Sequence, residues 1–283
     1  MTKAVAPKLR THMCIPDTQA KPGAPTDHLG WIGEYVVERK PDVLIHLGDH
    51  ADMPSLSSYD KGKIQFEGRR YVHDIEAANE GFDILNAAMI RENKRLAKAK
   101  HAQWLPERHI LLGNHEDRIN RAVAGSSELD GTIGVFDLNY WDHGWDVHDF
   151  LEPVDLDGVF YSHYWYQPNN GRPITGTMEN RLKTIGHSFT QGHLQTLMYG
   201  LRFVAGKSQH GLVAGACYLH SEEYKGPQGN AHWRGLIVKH EVNEGSYDPM
   251  FVSLDYLCRR YEGKSLDSFM SKKYNFDVYG QPL

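Results

Sequence analysis

Residues 43–52 read Val-Leu-Ile-His-Leu-Gly-Asp-His-Ala-Asp, and this segment says more about the fold than any other part of the chain. Its apolar run predicts a buried strand that ends at Gly48 and leaves the Asp49 carboxylate at the edge of a sheet. Residues 109–117, His-Ile-Leu-Leu-Gly-Asn-His-Glu-Asp, repeat the arrangement. Because ligands bind at this edge in α/β folds, both segments predict polar turns at a binding edge.

Three further polar turns follow predicted strands elsewhere in the chain. They are Asp17-Thr18-Gln19 after residues 9–15, His163 at the end of residues 159–163, and Gly192-His193-Leu194-Gln195 after residues 188–190. Each turn alone is weak, because a Gly-Asp pair is usually a simple turn and a lone histidine is more often structural. The information lies in their order along the chain.

That order, Asp-x-Gln, Gly-Asp-x-x-Asp, Gly-Asn-His-Glu-Asp, His and Gly-His-x-Gln, resembles the calcineurin-like metallophosphoesterase superfamily. The resemblance spans roughly residues 9–195 and departs from the family at Gln19 and Gln195, where histidine is usual. It implies an α/β fold, a four-layer αββα sandwich of two mixed β-sheets flanked by helices, with the site at the sheet edges. The compact chain looks like the stand-alone members found in bacteria and bacteriophages.

The resemblance also implies a centre of two divalent metal ions, which would activate a water molecule and neutralise the phosphoryl oxygens. By family position, Asp49 would bridge the two ions and Asp17 would complete the carboxylates of the first ion. Asn114, His163 and His193 would hold the second ion. Oxygen and imidazole ligands together suit Mn, Fe, Zn, Ni or Co.

Gln19 and Gln195 both fall where the family would place ligands of the first ion. An amide oxygen is a harder and neutral donor, so the exchange favours Mn²⁺ or Mg²⁺ over Zn²⁺. We therefore expect Gln19 and Gln195 to be metal ligands, with Mn²⁺ the favoured ion. The alternative is an empty first site, in a protein that works with one ion or does not catalyse at all.

His115 is the candidate catalytic acid, because the histidine of Gly-Asn-His faces the substrate in the family and can protonate the leaving oxygen. Asp117 is a candidate to orient His115, and the charge of Glu116 would favour the start of the following helix. Asp52 is expected to support its turn rather than bind metal. His50 is expected to stand behind the metal ligands.

The expected activity is metal-dependent hydrolysis of phosphate esters. A phosphodiesterase or nuclease that acts on nucleic acid ends, single strands or nucleotides is favoured. Aromatic residues around His163 would stack bases, although they are equally ordinary core residues; they are Tyr161, Tyr164, Trp165 and Tyr166. A phosphomonoesterase for proteins or small molecules, and a non-catalytic binding protein with a degenerate first site, are the alternatives.

The composition excludes several other classes. With 31 basic and 36 acidic residues the net charge is −5, which argues against a protein that coats duplex nucleic acid by neutralising phosphates. No apolar run approaches the roughly 20 residues that cross a bilayer. Residues 1–10 lack the apolar core of a signal peptide, and three scattered cysteines do not make a disulfide framework. We expect a cytoplasmic protein, in the host cytoplasm for a phage protein.

Residues 1–283 are predicted to form a single metallophosphoesterase domain with a helical insertion at about residues 53–100. A domain boundary near Gly144 is the alternative. The polar start of the insertion, residues 53–71, is expected to lie near the site. Strand signals dominate the second half of the chain, at residues 145–150, 159–163, 186–191, 211–219, 235–242 and 250–254.

Three helices are predicted in the first half, one of which starts near Glu116 and continues through Ile119 and Val123. Thr26 is expected to cap a helix that ends before Pro41. Apolar residues at steps of three and four predict a long helix over residues 73–100. Ile84 and Ile90 lie outside that apolar stripe, so this helix is also a candidate surface for a homo-oligomer.

Overall fold

A computed structural model describes residues 9–59, 61–167, 169–222 and 225–283. Most of the segment predicted to lack a signal peptide, residues 1–10, lies outside the described residues. Strands and helices alternate in the first half and strands dominate the second: β1 Arg10–Ile15, α1 Asp27–Arg39, β2 Val43–His46, α2 Tyr71–Lys98, β3 Glu107–Leu111, α3 Asp117–Ala124, β4 Asp146–His148, β5 Val154–Leu156, β6 Val159–Tyr161, α4 Met178–Ile185, β7 Phe189–Gln191, β8 Leu197–Val204, β9 Lys207–Ala214, α5 Gly226–Asn230, β10 Gly235–Asn243, β11 Ser246–Ser253, α6 Leu254–Glu262 and α7 Leu266–Tyr274.

The strands form two mixed sheets. The first sheet has the order β11-β10-β1-β2-β3-β4, in which β1 to β4 are parallel and the β10 and β11 pairings are antiparallel. The second has the order β5-β6-β7-β9-β8, in which β6, β7 and β9 are parallel. The parallel strands β1, β2, β3, β6 and β7 end at the positions where the sequence places its polar turns.

Side chains of the first sheet alternate between two cores, as the pleat of a strand requires. In β1, Met13 and Ile15 join the core formed with α1, α2, α6 and α7, whereas Cys14 joins the core between the sheets. Leu44 and Ile45 of β2 divide in the same way. The first sheet is therefore covered by helices on one face and by the second sheet on the other.

A fourth layer covers the outer face of the second sheet. Met178 and Leu182 of α4 form a small core with Phe189 of β7 and Val213 of β9. The predicted four-layer αββα sandwich is thus confirmed. No helix among the described residues combines the length and the apolarity that a bilayer crossing demands.

All three predicted helices of the first half are present, and α3 is the one that follows Glu116. Thr26 stands at the N-cap position of α1, as predicted, although its side chain makes no capping hydrogen bond, and Lys40 in the left-handed conformation (φ 46°) ends the helix before Pro41. Helix α2 begins and ends two residues earlier than predicted. Ile84 packs against the core while Ile90 is 43% exposed, and the homo-oligomer surface stays a prediction.

Helices α4, α6 and α7 were not predicted, although each carries a readable start signal in the sequence. The side chains of Thr177, Ser253 and Ser265 precede these helices, and each accepts a hydrogen bond from the backbone N–H three residues later. Such caps satisfy backbone donors that the first helical turn leaves unpaired. The β-rich composition of the second half hid these short helices.

The core between the sheets contains a fully buried lysine. Lys239 of β10 donates hydrogen bonds to the hydroxyls of Tyr161 and Thr190, and its ammonium lies 4.3 and 4.5 Å from the ring centres of Tyr161 and Tyr247. Burial lowers the pKa of Lys239 from 10.5 to about 8. Protonation in the folded state is therefore opposed by its surroundings.

This shift makes the stability contribution of Lys239 depend on pH. Because the folded-state pKa lies below that of the unfolded chain, the cost of the buried charge is complete below about pH 8 and is relieved as the pH rises toward 10.5. Over this pH range, we expect the free energy of unfolding of the native protein to increase relative to that of Lys239→Met by roughly a few kcal/mol. Urea denaturation of both proteins at pH 7 and pH 10 measures it.

The exposed Lys272→Met is the matched control, with no such change expected between the two pH values. A stability difference between the native protein and Lys239→Met that is constant with pH would contradict the assignment.

Candidate metal centre and active site

Four of the predicted metal ligands converge where strands of both sheets end. Asp49 follows β2, Asn114 follows β3, His163 follows β6 and His193 follows β7. The Asn114 Oδ1 lies 3.0 Å from His163 Nε2 and 2.7 Å from His193 Nδ1, and Asp49 Oδ2 lies 3.3 Å from His163 Nε2. Asp49, His163 and His193 each offer a ligand atom within 4.8 Å of the others. The donors thus surround one small volume.

The buried donors of this cluster shift one another's pKa values. Burial would lower the pKa of His163, but the Asp49 carboxylate outweighs it and the pKa rises to about 9. Conversely, burial would raise the pKa of Asp49, but His115 and His163 hold it well below its usual value. The His163 Nδ1 lies 2.7 Å from the Leu47 carbonyl, which leaves Nε2 directed to Asp49 and Asn114. In many proteins, a hydrogen bond of this kind from the other ring nitrogen orients a metal-binding imidazole.

The backbone at this edge adopts conformations that side chains usually avoid. Asp17 (φ 25°), Gln19 (43°), Asp49 (52°), His193 (67°) and Gln195 (58°) all have positive φ without being glycine. Each such residue costs on the order of 1–3 kcal/mol and persists only when its surroundings impose it. Five of the fourteen non-glycine residues with positive φ among the described residues are predicted ligands at this edge.

Two glycines allow the carboxylates to lie against neighbouring backbone. A Cβ on Gly113 would overlap Oδ1 of Asp49, and a Cβ on Gly192 would overlap Oδ1 of Asp17. The backbone N–H groups of His115 and His193 donate to these same oxygens, at 3.0 and 3.1 Å. The glycines in Gly-Asn-His and Gly-His-x-Gln are therefore needed for close approach.

Asp17 and Gln19 present polar atoms that have no protein partner. Asp17 Oδ2 and both amide atoms of Gln19 are buried, and none has a hydrogen-bond partner among the described residues. Burial, and then the Asp49 charge, raise the pKa of Asp17 to about 7. An unsatisfied buried polar group costs about 1–3 kcal/mol, so these oxygens fit a site for a cation.

Gln195, the second predicted glutamine ligand, lies at the same edge but is differently engaged. Its Oε1 accepts hydrogen bonds from the Tyr218 hydroxyl, at 2.8 Å, and from the Lys225 ammonium. Both donors come from the segment that follows β9, more than twenty residues away in sequence. No spacing rule relates them to Gln195, so this contact could not be predicted from the sequence.

His115 is held between two carboxylates. Its Nδ1 lies 2.6 Å from Asp52 Oδ1, and because a carboxylate only accepts, Nδ1 carries the proton of this bond. The Nε2 lies 3.2 Å from the Arg118 guanidinium and 3.8 Å from Asp49 Oδ2. Burial would lower the pKa of His115, but Asp49 and Asp52 raise it above its usual value.

The structure corrects the prediction that Asp117 orients His115. Asp117 is the first residue of α3, and its carboxylate pairs with Arg121 one helical turn along, at 3.1 Å. Asp52 orients the imidazole instead and also pairs with Lys21, at 3.1 Å. Asp52 thus joins its own turn to the loop after β1 through Lys21.

His50 contacts the turn after β1 and helix α2. Its Nδ1 is 2.7 Å from the Thr18 hydroxyl and its Nε2 is 2.9 Å from the Ala78 carbonyl of α2. The same hydroxyl lies 3.0 Å from His46 Nε2. These contacts link the turn after β1 to the turn after β2.

Glu116 has a role that the sequence analysis missed. It is fully buried, and its carboxylate accepts hydrogen bonds from the backbone N–H groups of Asp49 (3.0 Å), Ala51 (2.8 Å) and Gly113 (2.9 Å). The Tyr140 hydroxyl donates a fourth bond at 3.2 Å. Burial, and then the nearby Asp49 charge, raise its pKa. Glu116 therefore joins the turns that carry Asp49 and Asn114, rather than only charging a helix start.

The site opens into a cavity of about 840 Å³. Asp49, Asn114, His115 and His193 are among its lining residues. The predicted excursion, residues 53–71, supplies much of the wall, including the cations Lys63, Arg69 and Arg70, while Lys21 and Arg118 add positive charge from other turns. The cavity therefore combines a metal-ligand cluster with several cations.

The aromatic cluster around His163 divides between core and rim. Tyr161 is fully buried between the sheets, so the prediction that it stacks on bases was wrong. Trp165 packs against Phe189, and Tyr164 lies 4.7 Å from the His193 ring. Tyr166 is 47% exposed. Among the described residues that line the cavity, none belongs to this cluster.

No family model and no curated protein matches the chain. Among solved structures it is similar to Yfce, a phosphoesterase from E. coli, with 14% identity and a TM-score of 0.36, over 86% of this chain and 99% of that one. A likeness this distant carries no argument about the activity of this chain.

The bonds to Glu116 predict that the isosteric Glu116→Gln weakens the fold at this edge. One carboxylate oxygen becomes an NH₂ group that faces backbone N–H donors, so we expect the free energy of unfolding to fall by about 1–3 kcal/mol. Urea denaturation measures it, with the exposed Glu128→Gln as control. Equal stability of the two variants would contradict this role.

Proposed function

We propose that this chain is a metal-dependent phosphoesterase, and that a phosphodiester in nucleic acid or in a nucleotide is its substrate. The convergence of Asp49, Asn114, His163 and His193 beside His115 carries the proposal. Carboxylate, amide and imidazole donors at strand ends of two sheets suit a divalent ion of the first transition row. The order of these residues also follows the superfamily that the sequence resembles.

The residues that would hold the ions fall into two groups. Asp49, Asn114, His163 and His193 would hold one ion, and the unpartnered oxygens of Asp17 and Gln19 would hold a second, with Mn²⁺ favoured at both. When bound, such ions neutralise phosphoryl oxygens and lower the pKa of water to make a nucleophile at neutral pH.

His115 is the proposed acid. It lines the cavity. Asp52 binds Nδ1 of the ring, so that Nε2 faces Asp49 and Arg118. A proton delivered from this position to the leaving oxygen would assist cleavage of the ester bond. Arg118 also lines the cavity and donates to the Asp52 carbonyl at 2.7 Å, which holds its guanidinium 3.2 Å from His115 Nε2.

The shape of the cavity favours a substrate larger than a simple monoester. Its volume of about 840 Å³ lies within the range of sites for nucleotide-sized ligands. Lys63, Arg69 and Arg70 on the wall supply charge beyond the metal ligands, which suits a substrate with more than one phosphate. A phosphodiester of a nucleotide or of a nucleic acid end has these properties.

Turnover of two chromogenic esters tests the reaction class. We expect bis(p-nitrophenyl) phosphate to be hydrolysed with a higher kcat/KM than p-nitrophenyl phosphate when Mn²⁺ is added, and neither to be hydrolysed after chelation. Asp49→Asn should lose both bound metal and turnover while its far-UV circular dichroism stays native, because it removes a central ligand. A preference for the monoester would make the protein a phosphomonoesterase.

Parallel assays with Mg²⁺, Zn²⁺ and Ni²⁺ give the metal preference. Absence of turnover of both esters with every ion would overturn the proposed activity.

His115→Asn separates proton donation from metal binding. We expect kcat to fall by about 10²–10⁴, the range for a positioned proton donor, while the bound metal per chain is unchanged. Metal analysis beside the kinetics decides between the roles, since loss of metal would make His115 a ligand. The exposed His101→Asn, with unchanged kcat, controls for loss of an imidazole.

A further inference from the structure

A cation of the protein lies on the Asp17 side of the centre. Lys225 directly precedes α5, and its ammonium donates a hydrogen bond to Gln195 Oε1. It also interacts electrostatically with Asp17. The position of the first ion is thereby faced by a positive charge that belongs to the chain itself.

The amide oxygen of Gln195 has no capacity left for a metal ion. A carbonyl oxygen has two lone pairs, and the Tyr218 hydroxyl and the Lys225 ammonium use both. Tyr218 is buried and stacked on His220 with ring centres 4.5 Å apart, so its hydroxyl is fixed in place. An ion that binds Gln195 must first displace the lysine.

The Lys225 ammonium also interacts electrostatically with Glu222, more strongly than with Asp17. Glu222 Oε1 is itself shared, because it lies 2.7 Å from the Lys21 ammonium and 2.8 Å from His220 Nε2. Within the described part of the chain, no carboxylate forms an ion pair with the Lys225 ammonium. The charge of Lys225 is therefore only partly balanced, and its ammonium donates its hydrogen bond to Gln195.

We propose that Lys225 competes with the first metal ion, so that the two ion sites bind with unequal affinity. The site of Asp49, Asn114, His163 and His193 binds tightly, whereas the site of Asp17 and Gln19 binds weakly and gains Gln195 Oε1 as a further ligand only when the ammonium leaves it. Repulsion between the ammonium and a nearby divalent ion acts in the same direction. This inference rests on the proposed function and assigns regulation of ion occupancy to a residue outside the ligand set.

Calorimetric titration of the metal-free protein with Mn²⁺ tests the proposal. The native protein should bind one ion tightly and a second weakly. Lys225→Met should tighten the weak site by about tenfold or more and leave the tight site unchanged, because a like charge is removed and Gln195 Oε1 is released. Electron paramagnetic resonance gives a second readout, since paired Mn²⁺ ions couple and a single ion does not.

Three comparisons make the result specific. Lys225→Arg keeps the charge and should bind like the native protein, whereas Lys225→Gln should behave like Lys225→Met and replaces it if that variant does not fold. Lys183→Met is the matched control, because Lys183 is exposed on α4 and pairs with Glu179 at 2.7 Å. It should leave both dissociation constants unchanged.

The outcomes separate this inference from the proposed function. Two equally tight sites in the native protein, or a weak site that is unchanged in both Lys225→Met and Lys225→Gln, would overturn the inference and leave the phosphoesterase proposal intact. No Mn²⁺ binding at either site, or native binding by Asp49→Asn, would overturn both.

Discussion

The carboxylate of Glu116 is the interaction on which the geometry of this edge depends. Parallel strands bring the turns after β2 and β3 to neighbouring positions, but the sheet alone does not fix how two turns face each other. Glu116 accepts backbone N–H groups from both turns, so Asp49 and Gly113 are held by one side chain. Such bonds to a buried carboxylate are roughly twice as strong as those between neutral groups. Asp49 and Asn114 are thereby placed before any ligand arrives.

The same edge departs from the rules that the rest of the fold follows. Strands β1 and β2 show regular alternation between two apolar cores, and their backbone is ordinary. Immediately beyond them, Asp17, Gln19 and Asp49 have left-handed backbone, and buried oxygens lack partners. The sandwich has enough apolar burial to tolerate this local cost. Stability and function are therefore concentrated in adjacent but different parts of each strand–turn unit.

The sequence predicted most of the architecture because its signals were local. Apolar runs predicted the strands, and the polar turns at their ends indicated Asp49, Asn114, His163 and His193. The order of these turns along the chain, which resembles that of a known superfamily, indicated that they belong to one site. The roles of Asp52, Glu116 and Lys225 arise from contacts between residues that are far apart in the chain, and no periodicity reports them. The identities Gln19 and Gln195 looked equivalent in sequence, yet only Gln19 keeps its amide atoms without a hydrogen-bond partner.

The donors at the centre are divided evenly between the sheets, with Asp49 and Asn114 from the first and His163 and His193 from the second. A bound ion would therefore act as a cross-link between two layers that are otherwise joined at this edge by side-chain packing and a few hydrogen bonds. Ligation that favours only the native state protects the elements it connects from local opening. Amide hydrogen exchange at the ends of β2, β3, β6 and β7 would then slow together, as one cooperative unit that spans both sheets.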